Sequence, residues 1–263
     1  MKPECLVVIP ARFGSTRFPG KVLSKLGGAS IVEWCYRAAK SSRVGRVLVA
    51  TEDRRVSQAV ASFGGEAILT SRNCISGTDR VCQAAEHFNT PFIINLQGDQ
   101  PLIDPRTIRR VFELLKNNPL ADMSTAVIPL ADPGRVSNPN VVKAALAGNG
   151  RALYFSRAPI PYPRNGAPAA HYEHLGIYGF RRKALRSFVR LRPSPLEKTE
   201  SLEQLRALEN GMSIYAAVVC DVAVAIDTPA DLRRAKRLLG RMTTKHFQKS
   251  SVPGRSALRS RKK

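Results

Sequence analysis

The 263 residues carry 42 Lys/Arg against 20 Asp/Glu, a formal charge of +22, in an otherwise ordinary composition of 43% hydrophobic and 24% charged residues. Such a mixture excludes a chain disordered throughout, and the length suffices for a real core. No run approaches the roughly 18 apolar residues of a membrane span, and the opening apolar run is too short for a signal peptide, so the expected compartment is the cytoplasm.

In chain order, apolar β-branched runs alternate with helical patterns. Leu6–Ile9 is a first buried strand, followed by a Gly/Ser/Pro loop to Lys21 and an amphipathic helix over Ser30–Ser41. Arg46–Thr51 is a strand, Asp53–Phe63 a helix ended by Gly64-Gly65, and Glu66–Leu69 a third strand. Thr78–Phe88 reads as a helix capped by Thr78 or Asp79, Phe92–Leu96 as a buried strand and Asp104–Asn117 as the helix after it. This βαβα rhythm predicts a parallel sheet covered on both faces. After about Asp122 the rhythm changes: Ser124–Leu130, Val141–Leu146 and His171–Phe180 are strand-like, with a Pro-rich loop over Ala158–Pro168. Helices return at Lys183–Arg190 and Glu200–Asn210, then a strand at Ser213–Val219 and a last helix at Pro229–Leu239. The expectation is one α/β domain over residues 1–240 with a mixed-sheet insertion at roughly 122–195.

The basic excess suits an anionic substrate or a polyanionic surface. From Arg241 to Lys263 there are eight Lys/Arg and no acid; subtracting them from +22 leaves +14, so the body is basic as well. This tail is expected to be disordered, either a solvated arm or a polyanion-binding one. No helix-turn-helix, RRM or zinc-finger pattern accompanies it, so no specific nucleic-acid partner is expected. The five cysteines are an odd number with no C-x-x-C pair, which predicts reduced thiols. His171 and His174 stand three apart in a predicted strand, on opposite faces, so zinc is not expected.

The sharpest local signal follows the first strand: Pro10-Ala11-Arg12-Phe13-Gly14-Ser15-Thr16-Arg17-Phe18-Pro19-Gly20-Lys21. Ligands of an open α/β sheet bind beyond the carboxyl ends of its strands, and small residues, hydroxyls and cations there suit phosphates. It is neither a Walker A loop nor a dinucleotide glycine motif, and a solvated surface loop is the alternative. Asp99 and Asp227 each follow an apolar run, where paired carboxylates facing that loop could hold Mg2+. Asp227 could instead cap the helix that begins near Pro229.

The segment from Val8 to Lys21 resembles the P-A-R-x-x-S-T-R-x-P-G-K signature of sugar-nucleotide cytidylyltransferases. More closely, the chain resembles the 3-deoxy-manno-octulosonate cytidylyltransferase (CMP-Kdo synthetase) family from about Glu4 to Leu239. Supporting motifs are Ser76-Gly77-Thr78-Asp79-Arg80, Gln97-Gly98-Asp99, Asn138-Pro139-Asn140-Val141-Val142-Lys143 and Ala152–Arg157. Further motifs are His174–Phe180, Pro193–Glu197, Leu202–Arg206 and Ile226–Pro229. The resemblance implies a nucleotide-diphospho-sugar transferase (Rossmann-like) fold, a homodimer, and transfer of CMP from CTP to Kdo with release of diphosphate, which activates Kdo for lipopolysaccharide synthesis. It also implies that Arg12, Ser15 and Lys21 hold the triphosphate, and that Ser76, Arg80 and Gln97 surround the cytidine. Asp99 and Asp227 would ligate Mg2+, with Arg12 and Lys21 assisting catalysis. Arg157, His174, Tyr178, Glu203 and Gln204 would line the sugar pocket. Another acidic sugar, 8-amino-Kdo or a sialic acid, is the alternative substrate. One departure stands beside the metal carboxylates: Gln100 occupies a position where the family commonly has Glu.

Overall fold

A computed structural model of the chain describes residues 4–14, 18–166, 169–221 and 224–250. Its strands are β1 (Cys5–Pro10), β2 (Lys25–Leu26), β3 (Ala29–Ser30), β4 (Arg46–Thr51), β5 (Ala67–Leu69), β6 (Phe92–Asn95), β7 (Met123–Pro129), β8 (Lys143–Leu146), β9 (Ala152–Ser156), β10 (Tyr172–Arg181) and β11 (Ile214–Val218). The helices are α1 (Ile31–Ser42), α2 (Arg54–Ser62), α3 (Gly77–Ala85), α4 (Pro105–Asn117), α5 (Pro133–Ser137), α6 (Arg182–Phe188), α7 (Pro195–Glu200), α8 (Gln204–Glu209) and α9 (Pro229–Ser250).

The main sheet runs β11-β7-β10-β6-β1-β4-β5. β1 pairs parallel with β4 and β6, and β7 with β11, whereas β10 lies antiparallel between β6 and β7. Side chains alternate across a strand, so β1 feeds two cores. Cys5, Val7 and Ile9 meet α1 and α4 through Ile31, Val32, Ile108 and Val111. Leu6 and Val8 face the other way, into a cluster with Val81 of α3, Leu185 of α6 and Leu205 of α8. Burial on both faces explains why β1 reads as a continuous apolar run.

The insertion predicted at 122–195 is not a separable layer. β7 and β10 are integral to the central sheet, and only the β8–β9 hairpin stands off it, paired to the outer half of β10. The helix predicted over Glu200–Asn210 is broken: α7 and α8 flank Ser201, which has a left-handed backbone (φ 51°). The cap of α3 is Ser76 rather than Thr78 or Asp79; its hydroxyl oxygen accepts from Asp79 N while the Asp79 carboxylate accepts from Ser76 N. The last helix continues beyond Leu239 to Ser250, into the tail expected to be disordered, and residues 251–263 lie outside the described residues.

Gly45, between α1 and β4, allows a close backbone approach. A Cβ built there would lie 1.9 Å from the Cys5 carbonyl oxygen. Because the obstacle is backbone of the central strand, Gly45→Ala is expected to destabilise the protein by about 2 kcal/mol or more, read as a lowered denaturant midpoint with unchanged m-value.

Candidate active site

Three segments remote in sequence converge beyond the carboxyl ends of β1 and β6. The loop after β1 returns on itself through Gly20, whose N–H donates to Phe13 O at 3.0 Å and whose φ of 67° suits glycine. This carries Lys21 back over the sheet. The turn after β6 packs tightly on β1: a Cβ at Gly98 would lie 2.7 Å from Pro10 O. Gln97 and Asp99 are thereby held against the first loop. The third segment is joined to the second by Ile226 N donating to Asp99 O at 2.9 Å, which sets Asp227 beside Asp99.

At the convergence, Lys21 Nζ donates to Asp99 Oδ2 at 2.7 Å and to Asp227 Oδ1 at 2.9 Å. Burial lowers the pKa of this ammonium, but Asp99 and Asp227 outweigh it and the net direction is up. Asp227 is not the helix cap. Thr228 and Asp231 fill that role: Asp231 N donates to Thr228 Oγ1 at 3.2 Å, and the Asp231 carboxylate accepts from Thr228 N at 2.9 Å. The Asp227 carboxylate therefore faces the cleft.

A cavity of about 340 Å³ opens beside this triad, lined among others by Arg12, Lys21, Ser76, Arg80, Gln97 and Asp99, with Asp227 at its edge. Ser15 lies outside the described residues. Ser76 and Gly77 present the N-terminus of α3 to this cavity, a favourable end for negative charge. Arg80, only 5% exposed in its side chain, is held 3.1 Å from Glu52 Oε2, and the other Glu52 oxygen accepts from Phe13 N at 3.0 Å. Glu52, unmarked by any sequence pattern, thus ties the first loop to the opposite wall.

A second cavity, about 580 Å³, shares Asp227 with the first and is lined by Gln100, Arg135, Arg157, Glu173, His174 and Arg234, among others. Of the five residues expected around the sugar, Arg157 and His174 line it. Tyr178, Glu203 and Gln204 do not: the Tyr178 ring packs behind His174, with centroids 5.3 Å apart, and burial, then Glu203, pushes its phenol pKa up. Glu203 accepts a hydrogen bond from Thr78 Oγ1 at 2.6 Å, and Thr78 accepts from Asn95, whose own carbonyl accepts from Gln97. Glu203 therefore supports the wall of the smaller cavity. Gln204 is buried in α8, and its amide nitrogen is without a partner among the described residues.

Arg157 is partly committed. Its guanidinium donates to Glu200 O at 2.6 Å, Pro139 O at 2.9 Å and Ser201 O at 3.3 Å, which leaves two of its five N–H groups. The wall behind it is stapled by Lys143, whose wholly buried ammonium donates to the carbonyls of Asn138, Val141 and Arg157. Lys143 lay within a recognised motif, but nothing in its sequence neighbourhood distinguished a buried lysine from a solvated one. Arg135, paired with Glu173 at 2.6 Å, and Arg234 of α9 line the same cavity, as do the carboxylates of Asp221, Asp227 and Asp231. At the carboxylate pair, Gln100 Nε2 donates to the Leu175 carbonyl, a bond an ionised glutamate could not make.

The ligand chemistry available to a metal follows from these groups. Among the described residues no cluster of three or more His, Cys, Asp or Glu side chains could hold one. Two carboxylates converging on one cation do fit Mg2+, which commonly takes one or two protein carboxylates and completes its shell with water and phosphate oxygens.

Desolvation lowers the pKa of His174 to about 3. The native state therefore keeps it neutral while the unfolded chain binds a proton below about pH 6.5. Stability attributable to it is present above that pH and lost as pH falls toward 3. Denaturant titrations from pH 7 to pH 4 should show the wild type losing more stability than His174→Gln; parallel losses would contradict the buried neutral imidazole.

Most of the chain matches known proteins in sequence and in fold. The family described as Cytidylyltransferase matches residues 6–214. A 3-deoxy-manno-octulosonate cytidylyltransferase of Elusimicrobium minutum is 47% identical over 240 residues, covering 90% of this chain and 98% of that relative. One from Rhodopirellula baltica is 45% identical, covering 88% and 96%. Among solved structures, CMP:2-keto-3-deoxy-manno-octonic acid synthetase complexed with CTP superposes with a TM-score of 0.87 at 38% identity, covering 91% of this chain and 99% of that one. A cytidylyltransferase from Leptospira borgpetersenii, 18% identical with a TM-score of 0.63 and covering 96% and 98%, shares the fold. The chain therefore belongs to the cytidylyltransferase family, among its 3-deoxy-manno-octulosonate cytidylyltransferases.

Proposed function

We propose that this chain transfers CMP from CTP to Kdo, giving CMP-Kdo and diphosphate. The observation that carries this reading is the pair of adjoining cavities that share Asp227. One, lined by Arg12, Lys21, Arg80 and Gln97, is suited to a nucleoside triphosphate; the other sets the guanidiniums of Arg135, Arg157 and Arg234 among the carboxylates Glu173, Asp221, Asp227 and Asp231, groups that can meet the carboxylate and the hydroxyls of an acidic sugar. In this reading Arg12 and Lys21 neutralise the phosphates so that an anionic α-phosphoryl group can be approached, while Ser76, Arg80 and Gln97 bound the base and ribose. The remaining N–H groups of Arg157, with Arg135 and Arg234, offer positive charge to the sugar carboxylate. Asp99 and Asp227 would hold Mg2+, which would supply charge neutralisation at the phosphates and a lowered pKa for the sugar's anomeric hydroxyl.

A homodimer is part of the same proposal. Leu153, Tyr162 and Val218 are exposed large apolar side chains around one depression at the β8–β9 hairpin, a surface suited to a second copy. Light scattering should give twice the chain mass for the wild type, and one chain mass for Leu153→Glu/Tyr162→Glu. We also propose a cytoplasmic setting. All five cysteines are unpaired, as a reducing compartment favours, and among the described residues no helix is long and apolar enough to cross a membrane.

The decisive assay is diphosphate release from CTP and Mg2+ with Kdo, 8-amino-Kdo, sialic acid or no sugar. Release with Kdo alone is expected; release with another sugar would reassign the larger cavity, and none from folded, CTP-binding protein would overturn the activity. Asp99→Asn and Asp227→Asn are each expected to lower turnover at least 100-fold at millimolar Mg2+, at least about 2.7 kcal/mol of transition-state stabilisation. Intact turnover in Asp227→Asn would remove it from the metal site.

A further inference from the structure

His174 reaches the larger cavity through an irregular stretch of β10, where the register with β7 shifts between His174 and Tyr178. Its ring is framed by Phe155, with centroids 4.9 Å apart, and by Tyr178. Its Nε2 lies 2.9 Å from Oγ1 of Thr125, a fully buried residue of β7. The same Thr125 hydroxyl donates to the Ile177 carbonyl at 2.7 Å. A threonine hydroxyl has one hydrogen, and here it is spent on the carbonyl of a buried residue, so only an oxygen lone pair faces the imidazole. The imidazole must answer with an N–H. Nδ1, the nitrogen that Thr125 does not hold, has no hydrogen-bond partner among the described residues, and the ring lines the cavity.

We propose that Thr125 is a positioning residue that fixes His174 as the Nε2–H tautomer, so that Nδ1 presents a bare lone pair to the larger cavity and accepts a hydrogen bond from a hydroxyl of the acidic sugar. The proposal rests on the reading that this cavity holds the sugar. Its consequence is polarity. A lone pair attracts a hydroxyl hydrogen and repels a carboxylate oxygen, so the wall bearing His174 takes the hydroxyls, and the carboxylate turns toward Arg157, Arg135 and Arg234. The desolvation that keeps the ring neutral supports this, since an imidazolium would present a donor on both sides. Serine at 125 would retain the hydroxyl; the near-isosteric valine would remove it.

Nitrogen-15 NMR of histidine-labelled full-length protein, with the His174 signals assigned by their loss in His174→Gln, reads the tautomer directly. The wild type and Thr125→Ser are expected to show Nε2 protonated and Nδ1 bare, while Thr125→Val loses that preference. In diphosphate-release kinetics, Thr125→Val should raise the sugar KM about tenfold with the CTP KM unchanged, and Thr125→Ser should stay near wild type. A protonated Nδ1 in the wild type would overturn the proposal whether or not the valine variant folds. So would a Thr125→Val protein with altered tautomer and unaltered sugar KM. If wild-type protein with the expected tautomer released diphosphate with none of the sugars, the role in sugar binding would fall with the functional reading, while the Thr125–His174 assignment would stand.

Discussion

The site depends on one ammonium. Lys21 Nζ, held between Asp99 and Asp227, ties the loop after β1 to the turn after β6 and to the segment before α9, the last contact spanning 206 residues of sequence. Two carboxylates this close would repel in a half-buried cleft, and a cation between them removes that penalty. The arrangement also explains why the same two acids suit Mg2+. They are already gathered around a positive charge, beside the smaller cavity.

Around that centre, charge is placed by sheet geometry. Arg80 is anchored by Glu52, Arg157 by three backbone carbonyls, and Lys143 by three more. Each is a buried or half-buried cation held in place by protein acceptors, as desolvation demands, with two N–H groups of Arg157 left over. These groups are rigid walls more than mobile ligands. Arg135 and Arg234 bring guanidiniums to the larger cavity, where Glu173, Asp221, Asp227 and Asp231 balance them, so the excess of +22 is carried elsewhere on the chain.

Much of the fold was legible because its signals are local. Strands buried on both faces read as apolar runs, so β4 was predicted to the residue, and β1 and β6 within a residue or two. The helix expected over Asp104–Asn117 is α4, which Asp104 caps and Pro105 opens. The misses have equally local causes. β9 is short, with Leu153 exposed and Tyr154 half-buried against the core, and it carries no period-two pattern to mark it as a strand. The break between α7 and α8 depends on a left-handed serine, which no residue type announces. The end of β10 is irregular, and the face on which His174 emerges could not be read from its spacing.

Sequence alone determined the family, the glycine-rich loop after β1 and the identities of Lys21, Asp99 and Asp227, because those residues lie in contiguous motifs at strand ends. Tertiary structure alone decided how they are used. That Lys21 bridges both acids, that Glu203 braces Thr78 instead of lining the larger cavity, and that the Thr125 hydroxyl meets both His174 Nε2 and the Ile177 carbonyl are facts about segments tens to hundreds of residues apart. The physical reason is that a motif specifies which groups arrive, whereas the direction of a hydrogen bond depends on which partner has already spent its proton, and that partner comes from elsewhere in the sheet.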